Sequence, residues 1–106
     1  MFLDDIREPW RVGLIGWTCV RTVEAAIAAL KTGKVTQASL DHDMTIEQTL
    51  GLDDRKPTGY DVVLWMEANN VWPPGGTAVH SLNPTGKAKM ERIIDRAYRR
   101  ARTTDV

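Results

Sequence analysis

Four short apolar runs along the chain have the composition of strands, and polar residues follow each of them. The runs cover residues 1–3, 15–21, 35–40 and 77–81. Aromatic and β-branched side chains occur in these runs, and both types favour strands. The pattern therefore predicts four short strands.

Three helices are predicted around these strands. Residues 22–33 place apolar side chains at i, i+3, i+4 and i+7 after a threonine cap and end at a glycine. Residues 58–70 begin with a Thr and an Asp at the spacing of a capping box and end before a Pro- and Gly-rich stretch. A last helix begins after Asn83, with Pro84 at its favoured first position and a clear apolar stripe behind it.

The order of these elements is strand, loop, strand, helix, strand, helix, strand, helix. Alternating strands and helices imply a mostly parallel sheet with helices packed against it. A chain of 106 residues with 42% hydrophobic residues can build one core, so we expect residues 1–106 to form a single α/β domain.

Three stretches at predicted strand ends concentrate the polar chemistry, namely Asp4-Asp5, residues 41–43 and residues 80–83. Both histidines of the chain lie in them. Because ligand sites of open α/β sheets lie at the carboxyl ends of strands, the three stretches should meet in one pocket.

The acidic residues of the first two stretches form a candidate metal site. Oxygen ligands on loops at strand ends suit a hard divalent cation, Mg²⁺ or Mn²⁺. The alternative is that the acids only cap the turns that follow the strands. The predicted ligands are Asp4, Asp5, Asp41 and Asp43.

His42 and His80, with Asp41 beside them, are the candidate catalytic residues. One histidine could activate water and the other could protonate the leaving oxygen of a cyclic phosphodiester. Two alternatives stay open: the histidines could ligate a metal or orient its ligands, or each could simply bond a loop carbonyl.

The segment before and within the first turn of the last helix is a candidate substrate-binding loop. Free backbone amides and the helix dipole at a helix N-terminus attract anions. A glycine there would let a phosphate approach, and basic side chains could pair with it. The predicted substrate-binding residues are Arg7, Ser81, Asn83, Gly86 and Lys87.

Taken together, these motifs resemble the cyclic-phosphate processing receiver domains. The residues that carry the resemblance are Leu3-Asp4-Asp5-x-Arg7-x-Pro9, Ser39-Leu40-Asp41-His42-Asp43, Thr58-Gly59-Tyr60-Asp61 and His80-Ser81-x-Asn83-Pro84-x-Gly86. The resemblance implies a three-layer receiver-like, flavodoxin-like fold. It also implies nucleotide binding and a role on phosphate esters, either cyclic nucleotides or cyclic phosphate ends of RNA.

The chain departs from the family pattern after Asp43. Met44-Thr45 stands where the family usually continues with Leu-Gly, and the loop through residues 53–56 is extended. We expect these changes to act on substrate preference.

Three functions compete. The first is a metal-assisted hydrolase, a phosphodiesterase acting on cyclic phosphates. The second is a binding module that sequesters a cyclic nucleotide signal without turnover. The third is a receiver that accepts a phosphoryl group on an aspartate, which would need a fifth strand carrying a lysine, and the pattern contains none.

Charge and cysteine content bear on partners and compartment. The net charge is zero, yet residues 84–106 carry an excess of four positive charges and residues 1–83 an equal negative excess. A cationic helix beside an acidic pocket suits a phosphate-bearing ligand with a metal. The alternative, which we favour for most of these arginines, is that they form only a solvated face of the helix. The single cysteine and the absence of an apolar segment typical of a signal peptide or membrane helix favour a cytoplasmic protein with no membrane partner.

Overall fold

The structure is a computed structural model that describes residues 1–4, 17–43, 57–81 and 83–104. Within these ranges, no helix combines the length and apolar composition needed to cross a bilayer. The elements are β1 (Phe2–Leu3), β2 (Cys19–Val20), α1 (Val23–Lys31), β3 (Ala38–Leu40), α2 (Gly59–Asn69), β4 (Thr77–Val79) and α3 (Pro84–Thr104). Their order confirms the predicted alternation of strands and helices.

The four strands form one sheet in the order β2-β1-β3-β4, and every neighbouring pair is parallel. This confirms the predicted α/β class and the parallel sheet. The strands are shorter than predicted: β3 covers three residues, where the sequence predicts residues 35–40. The backbone N–H of Gly75, in the loop before β4, donates to the Thr36 carbonyl. This hydrogen bond lies before the paired residues of β3 and β4 and is not part of the sheet.

The helix caps follow the predicted chemistry. The Thr22 side chain accepts a hydrogen bond from the first turn of α1, and Gly33 after that helix has a φ of 70°. Thr58 and Asp61 form a complete capping box at the start of α2. Asn83 accepts a hydrogen bond from the first turn of α3 through its side-chain oxygen. These local signals are sufficient to start each helix where the sequence indicates.

The two central strands, β1 and β3, are buried on both of their faces. Leu3, Leu40 and Val79 belong to the main core, in which α1, α2 and α3 pack side by side on one face. Phe2 and Ser39 are register partners that point to the opposite face, and they too are buried. All three described helices lie on one face of the sheet, so the third layer expected of a receiver-like fold stays a prediction.

The strand order reverses direction between β1 and β3. From β1 the chain moves to β2 on one side, and it then crosses back to β3 on the other side. Such a switch point opens a crevice outside the carboxyl ends of the two strands. Asp4 and Asp41 are the residues that directly follow β1 and β3, so they lie at this crevice.

Candidate functional site

The hydrogen-bond ladder brings three polar residues together at the carboxyl edge of the sheet. The Asp41 amide donates to the Leu3 carbonyl at 3.0 Å, and the His80 amide donates to the Leu40 carbonyl at 2.9 Å. Asp4, Asp41 and His80 therefore follow three adjacent strands in register, and one ligand atom from each lies within 4.8 Å of the others. The predicted meeting of the three stretches is found for these residues.

The three residues form an almost fully enclosed cluster, which we call the Asp-Asp-His cluster. Asp4 is 0% exposed and Asp41 is 5% exposed. The His80 side chain retains 13% exposure. Two carboxylates and an imidazole are a donor set that fits a divalent cation, since a cation would offset the negative charge of acids removed from water.

The imidazole of His80 is held on three sides. Its Nδ1 lies 2.7 Å from the Ser39 Oγ, and its Nε2 lies 3.1 Å from Asp4 Oδ2. The Phe2 ring stacks on the imidazole with a centroid distance of 4.3 Å and an interplanar angle of 6°. Both ring nitrogens are thus bonded inside the protein, which fixes the orientation of the ring.

His42 has a different environment at the end of β3. Its Nδ1 lies 2.7 Å from Asp43 Oδ1, and the side-chain Nδ2 of Asn83 donates to the same Asp43 oxygen at 3.4 Å. Among the residues that the structure describes, none hydrogen-bonds the His42 Nε2. An imidazole oriented by a carboxylate through one nitrogen leaves the other for proton transfer.

Asp43 was predicted as a metal ligand, but its carboxylate pairs with His42. It is not one of the three described residues whose ligand atoms converge. The predicted ligands Asp4 and Asp41 do converge, and His80 lies with them. This position is compatible with the alternative in which a histidine ligates a metal.

Two glycines permit close packing around His42. A Cβ on Gly86 would overlap the atoms of the His42 ring, and a Cβ on Gly59 would overlap the Asp41 carbonyl. The Gly59 amide donates to the His42 carbonyl at 2.8 Å, which ties the start of α2 to the end of β3. The close approach that Gly86 permits is therefore to the His42 imidazole, and its predicted contact with a phosphate stays a prediction.

The predicted phosphate-binding loop is organised by its own hydrogen bonds. The Ser81 Oγ accepts a hydrogen bond from the backbone N–H of Asn83 at 3.0 Å. The Asn83 Oδ1 in turn accepts one from the backbone N–H of Gly86 at 3.0 Å. Lys87 lies in the first turn of α3, and its ammonium makes no ion pair within the described part of the chain. The loop holds Asn83 beside Asp43, and phosphate binding by these residues stays a prediction.

Several predicted features lie outside the described residues. They are Asp5, Arg7, Met44-Thr45 and residues 53–56.

Sequence reasoning gave no role to Ser39 or Phe2, although both contact His80. The available signal for Ser39 is a polar residue inside a predicted strand. It lies two positions before Asp41 and therefore on the same face of that strand. Phe2 carried no signal beyond that of an ordinary core residue.

Comparison with known proteins gives one match. The model of the cyclic-phosphate processing receiver domain family matches residues 1–96. No curated protein and no solved structure matches the chain. The family match covers every strand and the described part of the candidate site, and the parallel sheet agrees with it. The chain therefore belongs to the cyclic-phosphate processing receiver domain family.

Proposed function

We propose that the protein hydrolyses a cyclic phosphate ester with the help of a divalent metal ion. The observation that carries the proposal is the convergence of Asp4, Asp41 and His80 at the switch point of the sheet. The His42–Asp43 pair follows the same strand end as Asp41 and offers a group for proton transfer.

The donor set bears on the identity of the metal. Mg²⁺ prefers oxygen ligands only, whereas imidazole suits transition metals. Two carboxylates with His80 therefore favour Mn²⁺ over Mg²⁺ among the two expected ions. Bound at these residues, the ion would polarise a phosphoryl oxygen and stabilise the charge that develops on it.

His42 is the candidate general base. In the proposed reaction, a water oxygen forms a bond to phosphorus and one ester P–O bond of the cyclic phosphate breaks. The His42 Nε2 accepts a proton from the attacking water, and the leaving ester oxygen takes a proton from solvent. Asp43 holds His42 Nδ1, and Nε2 belongs to the edge of the ring that packs against Gly86.

His80 has a different task in this proposal. Because Ser39 and Asp4 bond both of its ring nitrogens, His80 is suited to ligate the ion rather than to exchange protons with substrate. The two-histidine acid–base mechanism expected from the sequence is therefore replaced by one proton-transfer histidine and one ligand histidine.

Turnover on a substrate panel tests the proposal. Purified protein is incubated with 2′,3′-cyclic and 3′,5′-cyclic nucleotides, each with Mn²⁺, with Mg²⁺ and with a chelator, and the products are separated by chromatography. We expect ring opening of at least one substrate with Mn²⁺, and loss of it in the variants Asp41→Asn and His42→Ala.

A binding module would give a different result in the same experiment. The ligand would be recovered unchanged while still raising the melting temperature of the protein by mass action. A phosphoacceptor would instead be labelled by a small phosphodonor, and the label would disappear in Asp41→Asn. The described part of the chain shows four strands and no fifth strand bearing a lysine, so the structure gives no support to this third function.

A further inference from the structure

One exposed face of α3 carries positive charge only. At 3.6 residues per turn, the basic residues of this face lie within an arc of about 100° around the helix, and Lys87 falls outside it. Glu91 and Asp95 fall outside this arc, on the flank of the exposed surface beside Arg99. We call the arc the basic stripe, and its exposed members are Lys89, Arg92, Arg96, Arg99 and Arg100.

Two members of the stripe, Lys89 and Arg92, lie where their charges do not stabilise the helix. Lys89 and Arg92 are three residues apart, and Arg92 and Arg96 are four apart, so these like charges repel each other. The helix dipole favours cations only in the last turn, whereas Lys89 and Arg92 lie in the first half. The first turn contains Lys87 and no acid. A bound polyanion would relieve this accumulated repulsion.

Part of the stripe is available to a partner. Arg96 forms an ion pair with Glu67 of α2 at 2.7 Å, with both side chains partly exposed. Lys89 and Arg92 are exposed, and neither side chain has a hydrogen bond or ion pair within the ranges that the structure describes.

The stripe starts close to the candidate site. Asn83 and Gly86, at the start of α3, contact Asp43 and His42, and Lys89 lies about 9 Å further along the helix axis than Asn83. From Lys89 to Arg100 the stripe extends for about 16 Å. A phosphate chain that begins at the site can therefore continue along α3.

We propose that the basic stripe of α3 binds the sugar–phosphate backbone of a single-stranded nucleic acid. This inference rests on the proposed function in one respect only, namely that the end of the bound nucleic acid reaches the candidate site. It assigns the protein a polymeric ligand rather than a free mononucleotide. The contacts are to phosphates, so we expect little dependence on base sequence and strong dependence on salt.

The test measures binding separately from turnover. The probe is a fluorescent single-stranded RNA of roughly ten nucleotides, within the range of about 4–16 nucleotides that single-strand binding folds cover. It ends in ordinary 3′-hydroxyl groups, so its binding needs no cyclic phosphate. The double variant Lys89→Gln with Arg92→Gln is compared with wild type and with a control that carries the same charge change elsewhere, Lys31→Gln with Lys34→Gln.

We expect the stripe variant to bind the RNA on the order of tenfold more weakly at moderate salt. The slope of log affinity against log salt should fall by roughly 1.4, since each phosphate contact on a single strand contributes about 0.7. The control should retain wild-type binding. Both variants should bind or hydrolyse a 2′,3′-cyclic mononucleotide as wild type does, because neither pair belongs to the site.

Three results would overturn the inference. The first is equal weakening in both double variants, which would show an effect of net charge alone. The second is wild-type RNA binding in the stripe variant. The third is loss of binding to anionic phospholipid vesicles in the stripe variant with RNA binding intact, which would assign the stripe to a membrane surface. Failure to turn over any cyclic phosphate would overturn the proposed function and leave the RNA measurement valid.

Discussion

The Ser39 hydroxyl lies 2.7 Å from the Nδ1 of His80, across the face of the sheet that lies opposite α1, α2 and α3. Ser39 is buried, and a hydroxyl can either donate or accept. It can donate to Nδ1 when the proton of the neutral ring is on Nε2, beside Asp4. It can accept from Nδ1–H when Nε2 is a metal ligand. Ser39 can therefore orient His80 in both states, as the outer partners of metal-binding histidines do.

Ser39→Ala should weaken Mn²⁺ binding by about 10–100-fold, the usual effect of removing a partner that orients a ligand histidine. The loss of one hydrogen bond should also lower the free energy of unfolding by about 1 kcal/mol. Calorimetric titration with Mn²⁺ measures the first effect, and urea unfolding of the metal-free protein measures the second.

Ser81→Ala is the matched control for this prediction. It also removes a serine hydroxyl at the carboxyl edge of the sheet, but that hydroxyl accepts from the Asn83 amide and does not touch His80. Unchanged Mn²⁺ affinity in Ser39→Ala, or equal weakening in Ser81→Ala, would contradict the orienting role. Long-range ¹H–¹⁵N spectra of the His80 ring should also show a change of tautomer when a diamagnetic ion such as Zn²⁺ is added.

The sequence was a good guide where the determinant is local. The capping box of Thr58 and Asp61 needs only four neighbouring residues, and its prediction is confirmed. The positions of Asp4 and Asp41 after their strands also follow from local pattern, and parallel pairing then brings them together.

The sequence was a poor guide where distant segments decide the contact. Which nitrogen of His80 meets which partner depends on the register between β3 and β4, and no spacing along the chain encodes it. Likewise, the packing of Gly86 against His42 depends on where α3 docks at the end of β3. These long-range contacts give the two histidines different hydrogen-bond partners.

The hydroxyl of Tyr98 predicts a stability change at high pH. Tyr98 donates to the Pro73 carbonyl at 2.6 Å and accepts from Thr77 Oγ1. Burial raises the pKa of Tyr98 above its ordinary value of 10.0, and the Thr77 hydrogen bond offsets part of that rise. The folded protein thus keeps a proton that the unfolded chain loses. The contribution of this proton to the free energy of unfolding is complete below pH 10.0, and it is lost as the pH rises through the pKa of Tyr98 in the folded protein.

Tyr98→Phe removes both hydrogen bonds and should therefore destabilise the protein by about 2 kcal/mol near neutral pH, since one hydrogen bond contributes about 1 kcal/mol. The difference in unfolding free energy between wild type and variant should shrink above pH 10.0. Urea unfolding at a series of pH values checks this. A difference that grows with pH would mean that the phenol is ionised in the folded protein.

His42→Ala and His80→Ala should separate proton transfer from metal binding. His42→Ala should lower turnover by about 10²–10⁴-fold, the range for loss of a general base, and leave Mn²⁺ affinity unchanged. His80→Ala should weaken Mn²⁺ binding, and saturating Mn²⁺ should restore part of its turnover. Steady-state kinetics at several Mn²⁺ concentrations distinguish the two variants. Identical metal dependence in both would show that the roles assigned here are wrong.

Gly86→Ala tests the proton-transfer role of His42 without touching its chemistry. A methyl group at position 86 overlaps the His42 ring, so the imidazole must rotate and give up its bond to Asp43 Oδ1. Alanine is more favourable than glycine in a helix by about 1 kcal/mol, which offsets part of the cost of displacing the ring. The variant should therefore remain folded with a modest loss of stability. Turnover should fall, while Mn²⁺ binding at Asp4, Asp41 and His80 should persist, since the three atoms nearest to the added methyl group all belong to His42. Thr85→Ala, one residue earlier and exposed, is the control and should keep wild-type turnover. Full activity of Gly86→Ala would show that the orientation of His42 seen here is not the one that acts on substrate.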